Sequence, residues 1–120
     1  MISVLQDLPA NVIGLEASGK VTSDDYERTI LPTIEKKQEE HEKVRLLYVL
    51  GENFEGYDAG AIWDDAKLAF KKPGSWERIA VVSDDDWIRR TVPLFSWMLP
   101  GDVKVFANSG LSEARTWVCN

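Results

Sequence analysis

Val44-Arg45-Leu46-Leu47-Tyr48-Val49-Leu50 is the stretch from which the fold can be read. It is nearly continuous in apolar and β-favouring residues, the pattern of a central strand covered on both faces, and such strands belong to parallel sheets flanked by helices. It ends at Gly51. A second run of the same kind, Trp76-Glu77-Arg78-Ile79-Ala80-Val81-Val82-Ser83, follows it. Between the two, Asp58 can cap a helix whose Ala59, Ile62, Trp63, Ala66, Ala69 and Phe70 share an arc, closed by Lys71-Lys72-Pro73-Gly74. Strand, helix and strand in that order predict a βαβ unit.

Toward the N-terminus, the apolar runs Ile2 to Leu5 and Val12 to Leu15 flank Pro9-Ala10-Asn11 and read as a hairpin, with Gly19-Lys20-Val21 leading out of it. Thr22-Ser23-Asp24-Asp25-Tyr26-Glu27 is a helix start, with Ser23 or Thr22 as cap and acids in the first turn. Tyr26, Ile30 and Ile34, joined by Leu31, form its inward stripe, and Pro32 predicts a kink or a nearby break because it lacks a donor and crowds the preceding turn. The tail from Glu35 to Lys43 mixes both signs of charge and reads as a solvated face. Toward the C-terminus, Ser83 feeds a helix over 84–100, Asp102-Val103-Lys104-Val105-Phe106 alternates as an edge strand with one wet side, and Ser109 to Val118 is a short helix with Ser109 or Ser112 near its cap. The order β-β-α-β-α-β-α-β-α predicts a largely parallel sheet with an antiparallel N-terminal member. Without a repeat, linker or low-complexity tract, residues 1–120 read as one domain.

The formal net charge of −6 argues against non-specific nucleic-acid binding, since there is no cation excess to displace counterions from phosphates. Attraction to an anionic membrane would have to be local, at Arg89 and Arg90 or at Lys71 and Lys72. The single cysteine, Cys119, allows no intrachain disulfide. The N-terminus lacks the basic and apolar regions of a signal peptide, and no apolar run reaches the roughly 18 residues of a membrane span. The expected location is the cytoplasm, with peripheral contact at a membrane.

Chemistry is scarce. His41 is the only imidazole and sits in a charged helix tail, so a nucleophile and base would have to be built around a residue with no other sign of a site. Cys119 with one histidine gives no zinc spacing. Gly51, Gly56 and Gly60 lack the spacing of a phosphate cradle. Asp84-Asp85-Asp86 is more simply a capping cluster, and Asp64-Asp65 an exposed helix face. These absences predict a protein that is not an enzyme, with no catalytic residue, metal or cofactor.

What remains is an aromatic surplus. At about 100° per residue, Leu94, Trp87, Met98, Thr91, Phe95, Ile88, Leu99 and Val92 fill one broad arc of the helix 84–100, while Arg89, Arg90, Pro93, Ser96 and Trp97 lie opposite. A tryptophan beside two arginines suits a lipid headgroup boundary, the mouth of an apolar pocket or a partner surface. The loop Glu52-Asn53-Phe54-Glu55-Gly56-Tyr57 and the start of this helix should share the carboxyl edge of the sheet, where parallel folds bind ligands. The candidate ligand-binding residues are therefore Phe54, Tyr57, Trp63, Trp87, Leu94 and Met98. The candidate membrane or partner contacts are Arg89, Arg90, Pro93 and Trp97. The same aromatics also have a plainer reading as core, because five tryptophans supply a large buried area without any ligand.

The element order, with Leu46-Leu47-Tyr48-Val49-Leu50, the passage to Asp58-Ala59-Gly60 and Ile79-Ala80-Val81-Val82 leading into a helix, resembles the STAS domain of anti-sigma-factor antagonists and, more closely, the SpoIIAA-like family. The resemblance implies a four- to five-stranded, mostly parallel sheet with helices mainly on one face, and a domain that works by binding. In the antagonists an Asp-Ser-Ser-Gly sequence carries a regulatory phosphoserine; the similar place here is Asp58-Ala59-Gly60-Ala61, with no hydroxyl. The resemblance further implies, as expected partners, an apolar small molecule or lipid held by opening helices, and a membrane surface. A homodimer or another partner through the helix 84–99 is the alternative, in the manner of an antagonist lacking its switch.

Overall fold

The computed structural model of the chain describes residues 1–57, 73–95 and 101–120. Its sheet contains β1 (Ile2–Val4), β2 (Val12–Val21), β3 (Val44–Tyr57), β4 (Trp76–Ser83) and β5 (Asp102–Phe106), laid side by side in chain order. β1 is antiparallel to β2, and all other neighbours are parallel. This is the expected mixed sheet. The hairpin's outgoing strand runs on to Val21 rather than stopping near Leu15, because Glu16, Ala17 and Gly19–Val21 find partners on β3.

Parallel neighbours in chain order need crossovers of one hand, which puts the described connecting helices, those after β2 and after β4, on the same face. The first helix, α1, is continuous from an α-helical turn Ser23–Asp25 through a π-helical stretch Tyr26–Ile30 into an α-helical body Leu31–Glu40. Thr22 caps it in a reciprocal box with Asp25: the Asp25 N–H donates to Thr22 Oγ1 and the Thr22 N–H donates to Asp25 Oδ2 at 3.0 Å. The π turn answers Pro32. The Leu31 N–H reaches back to the Tyr26 carbonyl, widening the helix by one residue just before the proline, which then begins a fresh α-helical segment where its missing donor costs least. Tyr26, Ile30 and Ile34 are fully buried as their spacing requires.

The second described helix, α2 (Asp86–Phe95), follows β4, and α3 (Leu111–Cys119) follows β5 through a single 3-10 turn, Asn108–Gly110. Residues 96–100, the expected end of the helix after Ser83, lie outside the described residues, as does the expected helix from Asp58 onward. No described helix is long and apolar enough to cross a membrane.

The core has two layers. On one face Ile13, Leu15, Leu46, Tyr48 and Leu50 meet Tyr26, Ile30 and Ile34 of α1 and Ile88 of α2. On the other, Val12, Leu47, Val49, Ala80 and Val82 meet Ala114 and Val118 of α3, with Leu5 and Leu8 at the margin. Gly14 lets the hairpin loop lie flat here, since a Cβ would fall 2.4 Å from Leu8 Cδ1 and 2.8 Å from Leu5 Cβ. Helices thus pack mainly on one face, and the C-terminal helix closes the other.

Candidate functional site at the carboxyl rim

β3 pairs with β4 only as far as Leu50 and Ser83, yet it continues to Tyr57. Over that extension its partner among the described residues is β2, Gly19 opposite Phe54, Lys20 opposite Gly56 and Val21 opposite Tyr57, with register irregularities around Gly19. Gly19 and Gly56 have φ of +64° and +112°, which a side chain would resist, and they let the ribbon bend there. The expected loop Glu52–Tyr57 is therefore strand. Its composition carries no period-two alternation, and the distant β2 segment Gly19–Val21 supplies the partner that makes it one.

This ribbon stands above the end of β4 at the carboxyl rim of the sheet, where the helix after β4 also begins. Asp85 caps α2: its Oδ1 accepts from the Ile88 N–H at 3.2 Å, and its own N–H is steadied by Ser83 Oγ at 3.0 Å. Asp84 accepts from the Asn108 N–H at 2.9 Å, tying the exit of β4 to the exit of β5. Of the three acids Asp85 caps α2 and Asp84 ties the two strand ends, while Asp86 adds a charge in the first turn, so the positive end of the helix dipole is answered from within the chain.

Of the residues singled out in the sequence, Phe54 lies in the β3 ribbon, partly buried and packed against the core cluster beneath α1. Tyr57 is the last residue of β3, and Trp87 and Leu94 belong to α2. Arg89, Arg90 and Pro93 are exposed on α2, and with exposed Asp86 they form one stripe at spacings of three and four. Trp97 continues that stripe by spacing, but it lies outside the described residues, as do Trp63 and Met98. The structure brings Phe54, Tyr57 and the start of α2 to one end of the sheet and turns Arg89, Arg90 and Pro93 outward from it.

Among the described residues acids outnumber bases at the rim, where exposed Lys20 stands opposite Gly56. Glu52, Glu55, Asp84, Asp85 and Asp86 are all exposed there, while Arg89 and Arg90 begin one turn further along α2. Such a rim repels small anions and suits a basic or mixed-charge surface. Asp25, at the start of α1, is held below the usual carboxylate range. Burial alone would raise it, but the hydrogen bond from the Thr22 backbone, the charge and hydrogen bond of the N-terminal ammonium and the Thr22 hydroxyl together outweigh that effect. Among the described residues no three His, Cys, Asp or Glu side chains gather as a metal site.

Sequence reasoning missed the side-chain support beneath α3. Arg45 pairs with Glu77 and donates to the Val118 carbonyl at 2.9 Å, and Arg78 donates to the Trp117 carbonyl at 2.8 Å. Two arginines from adjacent strands thus cap the C-terminal carbonyls of α3. Their only signal was an arginine inside each of two largely apolar runs.

The chain was compared with known proteins at the levels of family, sequence and fold. An uncharacterized protein of the DUF3478 family with a SpoIIAA-like fold, from Shewanella loihica, aligns with a TM-score of 0.77 at 25% identity, covering 98% of this chain and 93% of its own. Comparison with curated proteins finds no match. A SpoIIAA-like fold supports a STAS-type regulatory or interaction domain. The family's sequence model spans residues 12–119, from the first residue of β2 to the last of α3, and so takes in the four parallel strands and the rim: the chain belongs to the SpoIIAA-like family.

Proposed function

We propose that this chain is a non-enzymatic regulatory domain that binds another protein at the carboxyl rim, without a phosphoserine switch. The observation that carries the reading is the exposed stripe Asp86, Arg89, Arg90 and Pro93 beside the acidic end of the sheet. It offers both signs of charge around an apolar residue, the composition of a specific contact rather than of a merely solvated face. From Gly51 to Gly74 the sequence holds no serine or threonine, so the stretch that in antagonists carries the phosphate has no acceptor. Binding at this rim is then governed by partner concentration or by the partner's own modification. A photo-reactive residue at position 90 should give one discrete adduct in cells, lost when Arg89→Glu and Pro93→Ser are introduced. Labelling indistinguishable from that of a probe at exposed Glu39 on α1 would remove the support for this reading.

A second reading rests on the same stripe, which by helical spacing leads from Arg89, Arg90 and Pro93 to Trp97. In that reading the helix 84–99 docks at a membrane surface, and an apolar or lipid-like molecule lies against Phe54, Tyr57, Trp63, Trp87, Leu94 and Met98. Native mass spectrometry of the purified protein tests the ligand, and co-sedimentation with phosphatidylglycerol vesicles tests the docking. Absence of both bound lipid and vesicle binding leaves the protein-contact reading alone.

A further inference from the structure

β5 is the last strand of the sheet, and among the described residues its outer edge pairs with nothing. Along it, Val103 and Val105 are half-buried on the face that carries α1 and α2, while Asp102 and Lys104 point to the other face and are exposed. Neither charge has an ion-pair partner among the described residues. Asp102 lies opposite Arg78 in the sheet, but that guanidinium is turned to the Trp117 carbonyl and stacks on the Trp117 ring at 5.4 Å. Lys104 is held over the same indole at 5.6 Å and over Phe106 at 5.7 Å, so its ammonium is positioned without a counter-charge.

An open edge of this kind templates pairing with another strand, and a lysine placed on it commonly blocks such pairing. Whether it blocks depends on register. When two copies of one strand pair antiparallel about a two-fold axis normal to the sheet, opposed residues share a face, so the axis passes through a residue. Centred on Lys104 or on Asp102, the pair sets like charges against each other. Centred on Val105, it leaves Asp102 beyond the strand's end. Centred on Val103, it sets Asp102 of each copy against Lys104 of the other on one face and Val103 against Val103 on the opposite face. That register satisfies both unpaired charges at once, and it stops short of Gly101, whose φ of +75° leaves the extended conformation.

We infer that the β5 edge is a self-recognition surface: two copies of the chain pair through Asp102–Lys104 about an axis at Val103, joining two sheets into one. The interface uses none of the α2 stripe and stands independently of the partner reading above. A single short edge buries little area, so the dimer is a weak one that forms with rising concentration.

Sedimentation across a concentration series should show a monomer–dimer equilibrium. Asp102→Lys, which turns two attractions into two repulsions, should weaken it about tenfold, and Asp102→Lys with Lys104→Asp together should restore it. In a Cys119→Ser background, Val103→Cys should oxidise to a covalent dimer and Val105→Cys should not, since only the first residue meets its own copy. Circular dichroism confirms that each variant is folded. A protein that stays monomeric throughout, a dimer indifferent to Asp102→Lys, or cross-linking equal at 103 and 105 overturns the inference.

Discussion

At the scale of single residues, two positions carry more than their size suggests. Gly101 enters β5 with φ of +75°, and a Cβ there would lie 2.9 Å from the Trp76 carbonyl oxygen and 3.0 Å from that of Glu77. Both neighbours are backbone and cannot swing aside. Gly101→Ala should therefore cost about 2–3 kcal/mol, read as a shift in the urea midpoint at unchanged slope. Asp25 is the second. Its carboxyl is depressed below the ordinary value of 3.8, so its contribution is present above that pH and is lost as pH falls through the still lower value in the folded state. Asp25→Asn should lower stability by about 1 kcal/mol near neutrality, the worth of a capping-box member, and make the acid limb of a stability–pH profile shallower. An unchanged acid limb would mean that Thr22 caps α1 unaided. Thr22 and Asp25 were legible in the sequence, since a hydroxyl followed three residues later by an acid before an apolar stripe describes little else. The collision at Gly101 was not, because it depends on where β4 begins in space.

At the scale of elements, strands buried on both faces announce themselves by continuous apolar runs, which is why β3 and β4 could be read from their cores alone. Each run nevertheless contains an arginine, and the structure gives both the same task beneath α3. The Arg45 side chain is only 15% exposed while Glu77 is 41% exposed, so the bond to the Val118 carbonyl is the better shielded of its two contacts. Arg45→Met should cost about 2 kcal/mol, and Arg78→Met, which loses one hydrogen bond and a stacking contact on Trp117, about 1 kcal/mol. Amide exchange should locate the damage in the last turn of α3, with α1 protected as before. Loss of protection spread evenly over the sheet would show instead that the arginines support the strands. Elements defined by distant pairing resisted sequence reading. The β3 extension has loop composition and becomes strand only against β2, and the π turn of α1 is a local answer to Pro32 that no periodicity records.

For the whole molecule, the sequential strand order assigns roles to the two faces. α1 and α2 share one because right-handed crossovers leave no choice, and the other is left to α3 and the hairpin loop. Periodicity foretold that helices would cover the sheet but not which of them would stand alone. Removing residues 111–120 should uncover Leu47, Val49 and Val82 together, giving strong binding of a hydrophobic dye and self-association visible by light scattering. A truncated chain that stayed monomeric and dark would mean that Leu5 and Leu8 suffice to cover that face. The rim was legible to the extent that parallel topology fixes which strand ends meet. Its excess of acids and its bent ribbon came only with the structure.

The solitary position of α3 also bears on how the chain is made. A ribosome delivers β2, β3 and β4 with their helices before it delivers residues 111–119, so one side of the sheet is finished while the other still faces water. Until that last segment clears the exit tunnel, the nascent protein presents an apolar floor to its surroundings. A chaperone that recognises apolar surface would find its binding site there, and a stall before residue 111 emerges would leave that floor uncovered.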